Sequence, residues 1–332
     1  MTTIGPAARR GPLRDGERVQ LTDQKGKMHT IQLRVGEHFH THRGGINHNR
    51  IIGMPDGSVV LTEQEHEYLV LRPLLSDYVM GMPRGAAIVY PKDAGQIVQM
   101  GDIFAGATVV EAGVGSGALA SSLLTTIGPE GRLISVERRQ DFADIARLNV
   151  EAWFGGPHPA WELHVGDLAE VLPTLDVQPD RVILDMLAPW ENIEAVDRSL
   201  APGGLVLAYV ATTTQMSRFV EDLRVSARFT EPVAWESMVR TWHVEGLAVR
   251  PDHRMVAHTG FLVTARHLAP GTVSPERSRR PAPAARGAED HLAGAEWNPQ
   301  ALGERATSEK KVRRVARDLA RRATYDEETR DR

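Results

Sequence analysis

Two groups of residues in this sequence could do chemistry together: alternating glycines after one predicted strand, and acidic side chains at the ends of others. Gly113, Gly115 and Gly117 follow the β-branched run 108–110. Glycines at these positions let the backbone turn tightly and lie against a ligand, where a Cβ atom would collide. The predicted helix 118–127 begins at the last glycine, and its first turn offers unpaired N–H groups to polar ligand atoms. The pattern predicts a nucleotide-binding turn.

Three acidic residues that end other apolar runs are expected beside this turn. The carboxylate of Glu137 can accept hydrogen bonds from both ribose hydroxyls of a bound nucleoside. Asp167, one run later, is placed to accept from the exocyclic amine of an adenine. Asp185 follows a further run, just ahead of Pro189 and Trp190, at the edge of the predicted sheet where open α/β folds bind ligands. A carboxylate beside a flat apolar side chain suits a planar base.

A parallel sheet would bring these side chains to one edge. Apolar runs alternate with helical patterns along the middle of the chain, which is typical of βα units. The predicted strands are 108–111, 132–137, 162–165, 181–184 and 205–210, and the predicted helices are 93–100, 118–127, 141–154, 192–200 and 215–227. Two late strands, 233–243 and 259–266, are expected to form an antiparallel hairpin that closes a seven-stranded, Rossmann-like α/β sheet.

Composition excludes several classes of protein. The chain has 332 residues and a formal net charge of −4, so any surface that binds nucleic acid must be local. It contains no cysteine, which excludes disulfides, thiolate metal sites and cysteine nucleophiles. No apolar run approaches the length of a membrane span, and residues 1–18 lack the apolar core of a signal peptide. We therefore expect a cytoplasmic protein with no membrane partner.

The pattern divides the chain into four parts. We predict a disordered N-terminus over 1–16, a β-domain over 17–71, the sheet domain over 72–270, and a disordered basic tail over 271–332. Within these parts, the β-prone runs 18–22, 28–34, 51–53 and 58–62 favour a small antiparallel barrel or sheet, and residues 308–322 favour a basic helix with an apolar stripe.

The predicted β-domain carries alternating histidines. His38, His40 and His42 would share one face of a strand and could in principle ligate a metal. No acidic residue lies among them, and Arg43 and Arg50 nearby would repel a cation. We therefore predict no metal site, and favour a polar loop near the cleft or solvated histidines.

The spacing of the glycines distinguishes between kinds of nucleotide. The dinucleotide fingerprint is G-x-G-x-x-G. Here the order is E-x-G-x-G-x-G, with Glu111 two residues before the first glycine, and this order resembles the first motif of the Rossmann-like S-adenosylmethionine (SAM) methyltransferases. A glycine-rich turn without a ligand remains the alternative for this motif alone.

Further motifs between about residues 18 and 270 narrow the resemblance. The chain closely resembles the tRNA (adenine-58-N1)-methyltransferases in their bacterial and archaeal single-polypeptide form, and its Asp-Met-Leu-Ala-Pro-Trp segment is similar to the actinobacterial branch. The motifs are Arg72-Pro with Leu75-Ser-Asp-Tyr-Val, Met82-Pro-Arg-Gly, Val89-Tyr-Pro-Lys-Asp, Glu111-Ala-Gly-Val-Gly-Ser-Gly, Asp185 with Pro-Trp190, Tyr209, Thr214-Gln215 and His258-Thr-Gly-Phe-Leu-Val.

The resemblance implies methyl transfer from SAM to N1 of adenine 58 in the T-loop of tRNA, usually by a homotetramer. It implies that Asp185 is catalytic and that Tyr90 and Tyr209 lie near the target adenine. The implied cofactor contacts are Ser116, Gly117, Ala118, Leu119, Glu137, Asp167 and Asp185. Gly113 and Gly115 of the glycine turn and Phe142 are predicted contacts as well.

Two positions depart from the family pattern. Ala188 stands where many relatives have an acidic residue, so the role of that residue is absent or replaced. Phe142 stands where relatives often have a histidine, and an apolar stacking contact with the cofactor adenine would replace a polar one.

Three other functions stay open from the sequence. One is a SAM-dependent methyltransferase acting on another RNA, a protein or a small molecule, which the β-domain and the Asp-x-x-x-Pro-Trp segment disfavour. A dinucleotide oxidoreductase is disfavoured by the glycine spacing. A non-catalytic RNA-binding subunit is disfavoured because such subunits typically lose the glycines and acids that this chain keeps.

Overall fold

The computed structural model describes residues 9–275 and 309–330, with side chains of the second segment described as far as Leu319. The described residues fall into two compact units. The first contains residues 9–83, 151–158 and 318–330, and the second contains residues 84–150, 159–275 and 309–317.

The first unit is built on a four-stranded antiparallel sheet. Its strands are β1 (Arg18–Asp23), β2 (Met28–Gln32), β5 (Ser58–Leu61) and β6 (Glu67–Leu71), in the order β2-β1-β6-β5, and a separate hairpin pairs β3 (His38–Thr41) with β4 (Gly44–Asn47). Alternate side chains of β6 are buried, with Tyr68 and Val70 in the core. Helix α1 (Leu75–Gly81) follows the sheet.

Several predictions for this unit need correction. The run 51–53 is a turn after the 3-10 helix His48–Arg50 and not a strand, while β3, β4 and β6 were missed. The chain turns from β3 into β4 at residues 42–43, because Gly44, at φ +97°, already pairs with Thr41 in the ladder between these two strands. The predicted disorder over 1–16 does not hold for residues 9–16, since Leu13 is buried in the core and exchanges backbone hydrogen bonds with Gly53 and Met54. Residues 1–8 lie outside the described residues.

The second unit is a three-layer α/β domain around a seven-stranded sheet. The strands are β7 (Thr108–Ala112), β8 (Arg132–Glu137), β9 (Trp161–Val165), β10 (Arg181–Asp185), β11 (Leu205–Val210), β12 (Val233–Trp235) and, after a separate hairpin of β13 (Trp242–Glu245) with β14 (Ala248–Pro251), β15 (Phe261–Arg266). The helices are α2 (Pro91–Met100), α3 (Ala118–Ile127), α4 (Gln140–Phe154), α5 (Leu168–Val171), α6 (Ile193–Ser199) and α7 (Thr213–Ser226).

The strand order creates a crevice at one edge of this sheet. The order is β12-β15-β11-β10-β7-β8-β9. The strands from β11 to β9 are parallel to one another, and β15 runs antiparallel to both of its neighbours, β11 and β12. From β7 the chain winds outward through β8 and β9, and then crosses back to β10 on the other side of β7. The carboxyl ends of β7 and β10 therefore flank the switch point where α/β sheets bind ligands.

Local sequence signals located most elements of this unit well. Helix 118–127 and strands 132–137 and 205–210 have the predicted bounds, and the seven-stranded sheet is confirmed. The predicted strand 233–243 is wrong in its length. It ends as β12 at Trp235, and the residues beyond enter the β13–β14 hairpin, whose Trp242, Val244, Leu247 and Val249 are exposed. An apolar run was therefore not a sign of burial here.

The last described helix, α8 (Glu309–Arg330), begins one residue later and ends eight residues later than predicted. Val312 and Leu319 of the predicted apolar stripe are buried, and Val315 and Ala316 are half-buried, as the 3.6-residue period requires. The predicted disorder over 276–308 lies outside the described residues. No helix in residues 9–275 and 309–330 has the length and apolar character needed to cross a bilayer.

Candidate cofactor and active site

The glycine turn lies at the switch point, where it packs against the end of β10. Gly113 has φ +86°, and a Cβ atom at this position would lie 1.8 Å from the backbone oxygen of Asp185. Gly117 has φ +81° at the start of α3, and a Cβ atom there would lie 3.0 Å from Cγ2 of Val150. Both glycines are therefore required by torsion and by space, and Gly113 sets the separation of β7 from β10.

Hydrogen bonds from neighbouring elements hold the turn in shape. The Gly115 N–H donates to Glu137 Oε2 over 3.0 Å, so the acid that ends β8 is fixed against the middle glycine. Ser116 is buried, its Oγ accepts from Gly85 N–H over 3.2 Å, and its carbonyl accepts from Asn149 Nδ2 over 2.9 Å. Its hydroxyl therefore already has a partner within the protein. Ala118 and Leu119 follow as buried residues of α3.

Three carboxylates converge around the turn. Complete burial raises the pKa of Glu111 to about 8, the hydrogen bond from Ser135 opposes this, and the charges of Asp185 and Glu137 add to it. Burial and then the charge of Glu137 raise the pKa of Asp185 to about 7. None of the ion pairs among the described residues involves these three side chains.

Glu111 is the most constrained of the three. Its Oε2 accepts from Ser135 Oγ over 2.8 Å, and Ser135 Oγ accepts in turn from Trp161 Nε1 over 2.9 Å. Its other oxygen, Oε1, is buried and has no hydrogen-bond partner among the described residues. A buried acceptor without a donor is unfavourable, and a ligand or a bound proton would relieve it.

Asp185 and Tyr209 lie next to each other. They occupy paired positions at the ends of the parallel strands β10 and β11, so their side chains leave the sheet on the same side. The segment after Asp185 is anchored by Gln215, which is buried in the first turn of α7 and donates from Nε2 to the Leu187 carbonyl over 2.9 Å. The predicted family motif Thr214-Gln215 thus supports the loop that follows the candidate catalytic acid.

The remaining aromatic candidates are placed by α2 and the β10–α6 loop. Tyr90 is half-buried immediately before α2, and its carbonyl accepts from Asp93 N–H over 2.9 Å. The Tyr209 hydroxyl donates to Asp93 Oδ2 over 3.4 Å, so the start of α2 approaches the end of β11. Trp190 packs partly against the core, with the Arg218 guanidinium 6.0 Å from the centroid of its ring.

Two predicted cofactor contacts have partners within the protein. Asp167 Oδ2 accepts from Arg138 Nη2 over 2.5 Å, and this hydrogen bond lowers the pKa of Asp167. The other oxygen, Oδ1, caps α5 through Ala169 N–H over 3.1 Å. The Arg139 guanidinium lies 3.9 Å from the centroid of the Phe142 ring, so the predicted stacking on the cofactor adenine would need the other face of that ring.

The histidines of the first unit do not form a ligand set. His38 and His40 stack with centroids 6.0 Å apart, and His38 Nε2 lies 3.2 Å from Asn47 Nδ2. Among residues 9–275 and 309–330, no group of three or more His, Cys, Asp or Glu side chains is arranged to hold a metal ion.

The arrangement at the switch point fits SAM, which is a nucleoside that carries a positive sulfonium. Carboxylates without a cationic partner can balance a positive charge, which in turn favours their ionised form, and the orphaned Glu111 Oε1 offers an unsatisfied acceptor. Glu137 would hold the ribose, and the three glycines of the turn, Gly113, Gly115 and Gly117, would present no Cβ atom to the ligand.

Fold and site together define a class, the Rossmann-like SAM-dependent methyltransferases. The chain is similar to a SAM-dependent O-methyltransferase from Thermotoga maritima, with a TM-score of 0.73 and 29% identity, covering 84% of this chain and 100% of that one. It is also similar in fold to the tRNA (m1A58) methyltransferase TrmI from Aquifex aeolicus, with a TM-score of 0.67 and 24% identity, covering 78% of this chain and 100% of that one.

Sequence relatives identify the family within this class. Residues 68–250 match the family described as tRNA methyltransferase complex GCD14 subunit, and residues 11–60 match the one described as TrmI-like N-terminal. The chain is 33% identical over 246 residues to tRNA (adenine(58)-N(1))-methyltransferase TrmI of Thermus thermophilus, covering 74% of this chain and 95% of that protein. It is 28% identical to tRNA (adenine(57)-N(1)/adenine(58)-N(1))-methyltransferase TrmI of Methanocaldococcus jannaschii, covering 74% and 93%. The chain belongs to the TrmI family of tRNA methyltransferases, as its motifs predicted.

Proposed function

We propose that this protein transfers a methyl group from SAM to N1 of adenine 58 in the T-loop of tRNA, and that Asp185 is its catalytic residue. The position of Asp185 supports this most directly. It ends β10 at the switch point, beside Tyr209 and against the glycine turn. The named activity of relatives that align over most of their length supports the substrate.

The reaction needs no strong base, but it needs an anionic group that stabilises a cationic product. N1 of adenine has its own lone pair and no proton to lose, so the nucleophile needs no deprotonation. The product is a cation spread over N1 and the exocyclic amine. SAM, when bound, supplies the activated methyl group. A carboxylate at Asp185 that accepts from the exocyclic amine would raise the electron density at N1 and stabilise the developing charge.

The target base must leave its stack inside the folded T-loop, which costs a few kcal/mol. The protein therefore needs extensive contact with the RNA, and the basic residues that we propose for this contact are Arg43, Arg50, Arg84, Arg250 and Arg254. Arg43 is half-buried and lies 3.8 Å from Asp23, and Arg50 Nη1 donates to the Leu61 carbonyl over 3.0 Å. Arg250 and Arg254 are exposed at and after β14, which makes them the better candidates.

Changing Arg254 to glutamate should weaken tRNA binding and leave SAM binding intact. The loss of one charge-assisted phosphate contact should raise the Kd for tRNA roughly tenfold and reduce the slope of log K against log salt by about 1. Filter binding across a salt series measures both quantities. Arg198→Glu makes the same charge change on α6, where Arg198 pairs with Glu194 over 3.1 Å. Equal losses in the two variants would show a general charge effect and remove Arg254 from the interface.

We further propose that the protein works as a homotetramer in the cytoplasm, where its tRNA substrate is found. The exposed apolar residues of the β13–β14 hairpin support association, because monomers rarely expose a contiguous apolar patch of this kind. The description of the matched family as a subunit of a complex makes a different partner chain the alternative.

The activity is tested with purified full-length protein, SAM and an unmodified tRNA transcript. We expect 1-methyladenosine in the nuclease digest and a primer-extension stop at position 58, both absent from a transcript that carries guanine at this position. A stop at position 57 as well would extend the substrate range. Tight binding of NAD instead of SAM, a 2′-O-methylated nucleoside, or no methylated product would overturn the proposal. The similarity to the SAM-dependent O-methyltransferase of Thermotoga maritima makes the second of these outcomes worth measuring.

A further inference from the structure

Asp93 is a fully buried carboxylate near the site with no role assigned so far. It is the third residue of α2 and its exposed fraction is 0%. Burying a carboxylate is strongly unfavourable unless the charge is paired and its oxygens are hydrogen-bonded. The groups around Asp93 therefore indicate what it holds in place.

Each carboxylate oxygen of Asp93 accepts two hydrogen bonds. Oδ1 accepts from Lys92 Nζ over 2.6 Å and from Ser237 Oγ over 3.1 Å. Oδ2 accepts from Thr259 Oγ1 over 2.5 Å and from the Tyr209 hydroxyl over 3.4 Å. Lys92, with a side chain 6% exposed, also donates to Thr259 Oγ1 over 2.6 Å. The negative charge is thus balanced by one ammonium and satisfied by three hydroxyls.

These donors come from separate parts of the chain that meet at the carboxyl edge of the sheet. Tyr209 lies near the end of β11, Ser237 follows β12, and Thr259 precedes β15. Gly260 packs directly on the Tyr209 ring, since a Cβ atom on Gly260 would lie 2.4 Å from Cζ of that ring. The Tyr209 side chain is therefore fixed at its hydroxyl by Asp93 and along its ring by the backbone of Gly260.

The Tyr209 hydroxyl donates its hydrogen bond to a group of the protein, Asp93. Burial, supported by the charges of Asp93 and Asp185 and opposed by the neighbouring Thr259 hydroxyl, keeps the pKa of Tyr209 well above its usual range. The hydroxyl stays neutral and points towards Asp93, so the ring is what Tyr209 offers beside Asp185.

We propose that Asp93 is a positioning residue: it holds the Tyr209 ring beside Asp185 as one fixed wall of the pocket for the target adenine. The inference rests on the proposed function in one respect only, the identity of the base. A shift of the ring by about 1 Å would misalign the adenine and slow the reaction up to roughly 100-fold.

The first test needs no substrate. Full-length protein labelled with ¹³C at tyrosine Cζ should give a separate Tyr209 signal, assigned by its loss in Tyr209→Phe. We expect Asp93→Asn to move this signal and to leave that of Tyr68, in the core of the first unit, in place. Thr259→Val, which keeps the carboxylate and removes one donor, should move it in the same direction by less. An unmoved Tyr209 signal in a folded Asp93→Asn or Thr259→Val protein overturns the inference.

The second test separates positioning from plain stability. In single-turnover methyl transfer, Asp93→Asn and Tyr209→Phe should each lower the rate roughly 10–100-fold with SAM affinity unchanged. Each substitution disrupts the same interaction, the hydrogen bond from the Tyr209 hydroxyl to the Asp93 carboxylate. The double variant should be no slower than the slower single one. Rate losses that multiply would show that Asp93 does not act through Tyr209.

Asp197→Asn is the matched control for the second test. Asp197 accepts from Arg228 Nε over 2.9 Å and pairs with His267 over 2.8 Å, so its loss should lower the melting temperature and leave the rate unchanged. An equal rate loss in Asp197→Asn would assign Asp93 a general structural role. If the wild-type protein does not methylate tRNA, the proposed function fails, while the tyrosine signals still decide whether Asp93 holds Tyr209.

Discussion

Asp185→Asn should lower the single-turnover rate of methyl transfer to tRNA by roughly 10²–10³, the scale for losing one preorganised electrostatic contact. Asparagine keeps the shape of the side chain and an acceptor oxygen, but it cannot balance the positive charge that develops on the base. Binding of tRNA should change little, because the contact strengthens mainly in the transition state. Quenched-flow transfer of a radiolabelled methyl group measures the rate directly.

The same assay includes a control on the same strand. Asp180 precedes β10 at its opposite end, where its Oδ2 accepts from Thr108 N–H over 2.9 Å, a bond that asparagine can also accept. Asp180→Asn should therefore react at the wild-type rate. Near-normal turnover in Asp185→Asn would show that another group stabilises the product cation.

The pH profile gives a second signature of Asp185. Burial and the charge of Glu137 raise its pKa to about 7. Only the ionised carboxylate can stabilise a cation, so kcat/KM for SAM, which reports the free enzyme, should fall about tenfold per pH unit below that value. In Asp185→Asn this decrease of kcat/KM at low pH should disappear. A decrease that persists in the variant would come from the titration of a different group.

Gly113→Ala should produce the largest loss of stability among single methyl additions at the site. The alanine would have to adopt φ +86° and place its Cβ 1.8 Å from the backbone oxygen of Asp185. Left-handed strain adds about 1–3 kcal/mol, and overpacking adds about 1–3 kcal/mol more, so the free energy of unfolding should fall by about 2–6 kcal/mol. Because β7 and β10 would have to separate, SAM binding should also be lost. Urea unfolding and equilibrium dialysis measure the two effects.

Gly106 offers a matched control for the strain alone. It has φ +87°, nearly the torsion of Gly113, and a Cβ atom there would meet nothing within 4 Å. In Gly106→Ala the free energy of unfolding should therefore fall only by the contribution of backbone strain, about 1–3 kcal/mol, and the variant should still bind SAM. Equal destabilisation of the two variants would mean that β10 yields freely to the added methyl group.

Much of the second unit could be predicted from local sequence. The apolar runs before Glu111 and Glu137 indicated buried parallel strands, because such strands pack on both faces and need no polar alternation. The positive torsions of Gly113 and Gly117 explain why glycines occur there, and strand ends that carry acids indicated the binding edge. These features depend on a few neighbouring residues, so the sequence expresses them directly.

Hydrogen-bond partners between distant residues were not predictable in this way. The sequence places Asp93 in a family motif at the start of a helix, but its tyrosine, serine and threonine donors follow it by more than 100 residues. Arg138 holding Asp167 and Trp161 supporting the Ser135–Glu111 pair are of the same kind.

The sequence by itself determined the alternation of strands and helices, the glycine turn and the acids that accompany it. Backbone torsion and strand burial depend on short runs of neighbouring residues, and so they can be predicted locally. Tertiary structure alone decided which of those acids are fixed, buried or paired. That outcome depends on how β10, β11 and β15 come together beside α2, and no periodicity along the chain encodes the distances between them.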